Sequence, residues 1–392
     1  MTEKMIMDQE TKTWLEETLS KVITKMEAVR QRAGEKLPAV AVNGVYDDRS
    51  DTSIDWDMDN GINWWTNGFW GGIMWQLYHE TKDEAYARTA RISEEKLDRC
   101  FSMYYGLHHD VGFMWLPTAV ADYRLTKNAE SRKRGLLAAQ LLAGRFNPAG
   151  NFIRAWNDNV PGQKESNRGW AIIDCLFNIP LLYWASEETN DPRFKEIAMR
   201  HADTVAKNFI REDGSVRHIV EFDPFTGEMV RELGGQGYAE GTSWTRGQTW
   251  AIYGFAISYL HTKKENYLEA AKKAADRFLS RIPADGHIPV DFDQPAEPHI
   301  EDSTAAAVAA GGFLELSKLI PEREAAYREA AIKLLKTLTA DRCDFSPETD
   351  GILSRCTGSY HGKDNREINF VYADYYFVEA LLKLKGSDFK LW

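Results

Sequence analysis

Long apolar runs are missing from this 392-residue chain. No window approaches the roughly 18 consecutive apolar residues of a transmembrane helix, so no membrane partner is expected. The opening stretch Met1-Thr2-Glu3-Lys4-Met5-Ile6-Met7-Asp8-Gln9-Glu10 also lacks the apolar centre of a signal peptide, which makes a cytoplasmic location the expectation. Positive charge is in deficit: 48 Lys and Arg stand against 59 Asp and Glu, a formal net charge of −11. That argues against general nucleic-acid binding, which needs a basic footprint. An anionic small substrate is still admitted, because a few cations converging in a cleft outweigh a diffuse negative surface. Cysteine is scarce as well. Cys100, Cys175, Cys343 and Cys356 lie far apart without CxxC spacing and read as reduced thiols. There is no Gly-rich phosphate loop, no GxSxG and no dinucleotide fingerprint. These absences leave acid/base chemistry by carboxylates, with no cofactor and no metal expected.

What the chain has in excess is aromatic residues: 13 Trp, 16 Tyr and 18 Phe. Many of the Trp residues stand beside Gly, Asn, Asp and Arg rather than inside apolar runs. A flat apolar face ringed by polar groups suits a sugar ring, whose C–H faces stack while its hydroxyls hydrogen-bond. A large core also accounts for some of them. With 43% hydrophobic and 27% charged residues, the chain has the composition of a folded globular protein.

Strand signals are few, whereas apolar residues recur at three- and four-residue spacing over long segments. The periodicity predicts twelve helices, at about 11–32, 67–81, 83–102, 112–126, 129–144, 168–188, 191–210, 244–262, 264–281, 302–319, 321–340 and 366–385. A degenerate joint recurs between them. His79-Glu80-Thr81-Lys82-Asp83-Glu84-Ala85-Tyr86 resembles Glu187-Glu188-Thr189-Asn190-Asp191-Pro192-Arg193-Phe194 and Leu260-His261-Thr262-Lys263-Lys264-Glu265-Asn266-Tyr267. Leu125-Thr126-Lys127-Asn128 begins the same way without the aromatic. Such turn and N-cap chemistry implies antiparallel helical hairpins. Six of them in a ring form an all-α (α/α)6 barrel, with a solenoid as the rival architecture. No low-complexity linker divides the chain, so residues 1–392 read as one domain. The stretches 38–65, 103–111, 145–167, 211–243, 283–301 and 341–365 are too long for plain connectors and read as functional loops.

Four constellations stand out. Trp64-Trp65-Thr66-Asn67-Gly68-Phe69-Trp70-Gly71-Gly72, at a helix start, reads as a binding wall or a helix-packing motif. Leu107-His108-His109-Asp110-Val111-Gly112 pairs two His with an Asp, but no further ligand falls at a metal-site spacing, and the Asp reads locally as an N-cap or a functional carboxylate. Asp174 stands inside an apolar helix, where Trp170, Asp174 and Asn178 stack on one face and Pro180 kinks the segment. A carboxylate buried there needs a partner or a raised pKa. Finally, Gly235-Gln236-Gly237 precedes a helix start whose Ser243, Arg246 and Trp250 share one face. There Arg is suited to grip a carboxylate in a fixed fork and Trp to stack on a ring, with a structural salt bridge as the alternative for Arg246. His218, in a loop, is placed to orient a water or a hydroxyl.

Taken in order, the Trp65–Trp70 segment, His109-Asp110-Val111-Gly112-Phe113, the Asp174 segment and Ser243-Trp244-Thr245-Arg246-Gly247-Gln248-Thr249-Trp250 resemble the unsaturated glucuronyl hydrolases of glycoside hydrolase family 88. The resemblance runs from about Trp64 to Tyr376 and implies an (α/α)6 barrel. It further implies release of a 4,5-unsaturated uronic acid from the non-reducing end of oligosaccharides left by polysaccharide lyases. In that chemistry an Asp protonates C4 of the enol ether and water adds at C5. The resemblance implies Asp174 as general acid/base and Asp110 as second essential carboxylate, with Trp65, Asn67, Trp156, His218, Gln236, Arg246 and Trp250 around the substrate. Relatives that take sulfated disaccharides use a short Ser/Lys segment near the C-terminus. Here Ser359-Tyr360-His361-Gly362-Lys363-Asp364 keeps Ser359 and Lys363, but has Gly362 and Asp364 where Ser and Lys are expected. Two alternatives stay open: an enzyme of the same fold acting on unsaturated rhamnogalacturonan fragments, and a non-catalytic sugar-binding barrel.

Overall fold

A computed structural model describes residues 7–51, 61–102, 106–158 and 166–392. The leader reading of residues 1–6 and parts of the loops 38–65, 103–111 and 145–167 fall outside the described residues. The helices are α1 (Gln9–Ala33), α2 (Phe69–Thr81), α3 (Glu84–Lys96), α4 (Asp98–Ser102), α5 (Val111–Trp115), α6 (Ala121–Thr126), α7 (Ala129–Ala143), α8 (Pro180–Thr189), α9 (Pro192–Asn208), α10 (Thr245–Thr262), α11 (Glu265–Arg281), α12 (Ser303–Leu319), α13 (Glu324–Asp341) and α14 (Val371–Lys385). Short strands accompany them: β1 (Val40–Val42), β2 (Val45–Tyr46), β3 (Phe146–Asn147), β4 (Phe152–Ile153), β5 (Trp170–Ile172), β6 (Ile219–Phe222), β7 (Met229–Leu233) and β8 (Asn369–Phe370).

Burial sorts the helices into two rings. In α12 every residue from Ser303 to Ser317 is buried. By contrast α11 buries one stripe, Tyr267, Ala270, Ala271, Ala274, Ala275 and Phe278, the spacing of a helix with one face on a core. The inner ring runs α2, α5–α6, α8, α10, α12 and α14, with α14 packed back on α2. Outside it stand α3, α7, α9, α11 and α13, each beside the inner helix that precedes it. The sixth pair joins the two ends of the fold, because α1 packs on α14. This is an α/α barrel.

The recurrent joint is one structure repeated. At Thr81, Thr126, Thr189 and Thr262 the hydroxyl donates to the carbonyl four residues earlier, at 2.6–3.0 Å. The next residue (Lys82, Lys127, Asn190 or Lys263) turns into the left-handed region with φ between 55° and 62°. Asp83, Asn128 and Asp191 then cap the outer helix with their side chains. The aromatics five residues after the Thr, Tyr86, Phe194 and Tyr267, are buried in the seam between rings. A Cβ in the left-handed region costs about 1–2 kcal/mol, which outweighs the roughly 0.5–1 kcal/mol of extra chain entropy lost by Gly. Lys82→Gly is therefore expected to raise the melting temperature, and a lower one in a thermal melt would show that the Lys82 side chain itself holds the joint.

The main departure from the sequence reading falls at 168–188, which is no continuous helix. Residues 170–172 form β5, Ile173–Phe177 a tight 3-10 turn, and α8 begins at Pro180. Pro180 therefore starts a helix rather than kinking one, the position where its missing N–H costs nothing. Gly169 forces the change: a Cβ there would lie 1.8 Å from the Phe222 carbonyl oxygen, so the chain runs flat against β6. Trp170, Asp174 and Asn178 consequently share no helical face. Segment 112–126 is helical throughout but passes through a π-type stretch, Leu116–Val120, around Pro117. Segment 83–102 breaks between Lys96 and Asp98, and 366–385 is helical only from Val371.

Candidate active site

The inner helices point their N-terminal ends toward one mouth, opposite the Thr joints, and free N–H groups at such ends favour negative charge. A cavity of about 210 Å³ opens there. Trp64 and Trp65, from the turn leading into α2, form one wall. His108, His109 and Asp110, just before α5, adjoin Trp156 from the loop after β4. Ile172 and Asp174, Gln236 after β7, and Arg246 in the first turn of α10 complete the lining.

Asp174 reaches the cavity because β5 pairs antiparallel with β6 and one more bond, Ile173 N–H to the His218 carbonyl (3.0 Å), extends the ladder. The 3-10 turn then aims its carboxyl inward, with side-chain exposure of 14%. Burial, helped by the charge of Asp110 and opposed by Arg246, pushes its pKa up to about 7. The His218 Nε2 atom lies 3.7 Å from Asp174 Oδ1. Its Nδ1 lies 2.9 Å from the Gly234 carbonyl oxygen and 3.1 Å from the Gln236 N–H, which fixes the ring beside the acid. Burial holds His218 neutral, with a pKa of about 3.

Asp110 occupies the N-cap position of α5, yet its side chain makes no capping bond. Instead Asn178 Nδ2–H donates to its Oδ1 (3.2 Å), and the Nδ1 atoms of His108 and His109 lie 3.4 and 3.3 Å from its oxygens. Burial keeps His109 neutral as well. Ligand atoms of His108, His109 and Asp110 lie within 4.8 Å of one another, so these three are the residues able to hold a metal ion among those described.

Arg246 departs from its expected role as an open fork. Its Nη1 donates to Asp302 Oδ2 (2.5 Å) and the Thr357 carbonyl (2.6 Å), and its Nη2 to the Gly358 carbonyl (2.8 Å). The guanidinium is stacked over Trp244, 4.7 Å from the ring centroid. It faces the cavity as a fixed positive charge whose terminal nitrogens are already engaged. Gln236 is tied to the same loop: Nε2–H donates to the Gly358 carbonyl (2.6 Å), and its own carbonyl accepts from Tyr360 N–H (2.8 Å).

The remaining expected residues divide. Trp65 and Trp156 line the cavity. Asn67 does not, because it is fully buried and donates to the Gly61 and Ile62 carbonyls (both 2.9 Å), so that motif is a binding wall at Trp64–Trp65 and packing beyond. Trp250 does not border the cavity: it packs on Phe113, Phe177 and Tyr376 below Asp174, where its indole lowers the pKa of that acid. Ser243 is buried against Gln248 and does not border the cavity. Ser359 follows the Gly358 held by Gln236 and Arg246, and its hydroxyl accepts from Gly362 N–H (3.1 Å), while Lys363 is exposed. The sequence reading missed Asp302, whose signal was only an Asp before a helix.

Aromatic walls, the buried Asp110, a largely buried Asp174 with its pKa raised to about 7, and a fixed guanidinium define a site built for acid/base work on an anionic sugar. The chain belongs to glycosyl hydrolase family 88 and is a glycosidase: the model described as Glycosyl Hydrolase Family 88 matches residues 39–379. It is 38% identical over 339 residues to the unsaturated glucuronyl hydrolase of Bacillus sp. (strain GL1), covering 84% of this chain and 88% of that one. To the unsaturated chondroitin disaccharide hydrolase of Streptococcus pyogenes serotype M1 it is 36% identical over 327 residues, 81% of this chain and 80% of the other. The crystal structure of the Bacillus sp. GL1 enzyme, described as responsible for the degradation of glycosaminoglycan, superposes with a TM-score of 0.86 at 33% identity, covering 95% and 97% of the two chains. No helix among the described residues is long and apolar enough to cross a membrane.

Proposed function

We propose that this glycosidase releases a 4,5-unsaturated uronic acid from the non-reducing end of lyase-generated glycosaminoglycan-type oligosaccharides, by hydration rather than displacement at C1. The observation that carries the reading is a largely buried Asp174, its pKa raised to about 7, beside a second carboxylate in a cavity walled by Trp. Relatives named for unsaturated glucuronyl and unsaturated chondroitin disaccharide substrates support the substrate class. Asp174 gives its proton to C4 of the enol ether. Water then adds its oxygen to C5 and returns a proton to the Asp174 carboxylate, which restores the acid. The C5 hemiketal opens the ring to a C5 ketone, and the hemiacetal so left at C1 collapses to an aldehyde and releases the remaining sugar. Trp65 and Trp156 hold the planar ring by stacking. Arg246 offsets the substrate carboxylate as a charge, and Gln236 contributes a wall. Neutral His218, with its Nε2 beside Asp174, orients the water. Asp110 keeps Asp174 protonated and positions the ring.

The test is reaction in heavy water on lyase-generated disaccharides. Ultraviolet absorbance of the conjugated double bond is expected to disappear, and the released product to carry deuterium at C4 because Asp174 exchanges its proton with solvent. Turnover with no label at C4 would restore displacement at the anomeric carbon, and no loss of absorbance would exclude this substrate class.

A further inference from the structure

Five helices of this barrel are capped by the Asp or Asn that precedes them. Asp8, Asp83, Asn128, Asp191 and Asp302 each accept a hydrogen bond from a backbone N–H of the first turn. Asp110 stands at the same position before α5 and does not: its backbone is held at ψ 7°, whereas those five lie at ψ 90–157°. An aspartate there ordinarily folds its carboxylate back onto the second or third N–H of the helix. The third N–H of α5 belongs to Phe113, and it is already taken: it donates to Asn178 Oδ1 at 2.8 Å.

We propose that Asn178 is a positioning residue, capping α5 in place of Asp110 and so keeping the Asp110 carboxylate turned into the cavity. The inference rests on Asp110 being the second carboxylate of the reaction proposed above. The amide works with both ends. Its oxygen satisfies the N–H that would otherwise attract Asp110, and its Nδ2–H groups donate to Asp110 Oδ1 (3.2 Å) and to the Asp174 carbonyl (3.3 Å). One fully buried side chain thus ties together the two segments that bear the carboxylates. Gly112 lets it come close enough, since a Cβ on Gly112 would lie 2.4 Å from Asn178 Cα. Around Asp110 the cavity presents His108 and His109 from its own loop, Asp174 from the 3-10 turn and Arg246 from α10.

Crystal structures and pH–rate profiles of Asn178→Leu and Asn178→Asp test this directly. In Asn178→Leu the Phe113 N–H loses its acceptor, and Asp110 is expected to turn to the extended backbone of the other caps, with its carboxylate within hydrogen-bond distance of that N–H. A displacement of that size is expected to lower kcat by on the order of 10–10² with KM little changed. Asp174, deprived of its anionic neighbour, should ionise sooner and shift the alkaline limb to lower pH. Asn178→Asp keeps an acceptor for Phe113, so Asp110 should stay in the cavity and turnover on the acid side should exceed that of Asn178→Leu. Placed on top of Asp110→Asn, the Leu change should cost little more, because both act through one group. Should Asn178→Leu not fold, Asn178→Ala removes the same contacts and is read the same way. An Asp110 carboxylate that stays in the cavity in either variant, or losses that multiply in full with Asp110→Asn, overturns the inference. If Asp110→Asn itself leaves turnover intact, the role given to Asp110 in the reaction fails, and the position of its carboxylate in Asn178→Leu still decides what Asn178 does.

Discussion

Asp174→Asn is expected to lower kcat by on the order of 10²–10⁴ while leaving KM little changed, because the amide keeps the shape of the acid without its transferable proton. The same change should make the protein more stable at alkaline pH. The folded-state pKa of Asp174, about 7, lies above the 3.8 usual for an aspartate. A raised folded pKa means the folded chain holds a proton that the unfolded chain has lost, so the contribution is fully present below about pH 4 and lost as pH rises through 7. Above pH 7 the wild-type protein carries a buried charge that costs on the order of a few kcal/mol, and the Asn variant does not. Thermal melts from pH 4 to pH 8 should therefore diverge, with Asp174→Asn the more stable at the alkaline end and equal to wild type at the acid end. Coincident melts across that range would place Asp174 in a wetter site than its surroundings imply. Near-normal turnover in the folded variant would remove it from the mechanism.

Asp302→Ala should have the largest effect on stability. Asp302 is fully buried, caps α12 through Thr304 N–H (3.1 Å), accepts from Thr357 N–H (3.2 Å) and neutralises the buried Arg246. Removing one partner of such a pair leaves a charge with no counterion and typically costs about 3–5 kcal/mol. Denaturant melts should show a loss of that order, with Asp302→Asn losing less because its oxygen still caps α12. Activity should follow. Arg246 and Asp302 together hold the Thr357–Gly358 backbone against Gln236, so kcat/KM is expected to fall even where the variant is fully folded. The uncompensated Arg246 charge should also pull the Asp174 pKa down and bring the alkaline limb to lower pH. A variant as stable as wild type would show that the loop, not the ion pair, carries the tie.

The outer helices were readable because each buries a face at helical spacing, and the hairpins because the Thr–Lys/Asn joints name their own geometry. Residues 168–188 misled for a physical reason. Ala171-Ile172-Ile173 is apolar throughout, so its period is mute, and the contact of Gly169 with β6 that flattens it is tertiary. The site was readable at Asp110, Asp174, Trp65, Trp156 and Gln236, whose residue types stand out where they fall. Asn67, Ser243 and Trp250 stood out equally but do not line the cavity, and Trp250 lies beneath Asp174. Arg246 was half-read: its charge reaches the cavity, while its hydrogen bonds depend on Asp302, 56 residues away. Side-chain chemistry announces itself in one dimension, but the choice between a substrate and a neighbour as partner is made in three.

The barrel separates its two tasks onto opposite rims. The Thr joints and their caps, which register each outer helix on its inner partner, lie at the C-terminal ends of inner helices, whereas the cavity is assembled from loops at the N-terminal ends. Lengthening or exchanging a loop at the mouth therefore leaves every joint intact. The ring can carry new specificity on one rim while the other preserves its assembly, much as a socket accepts different tools without being recast.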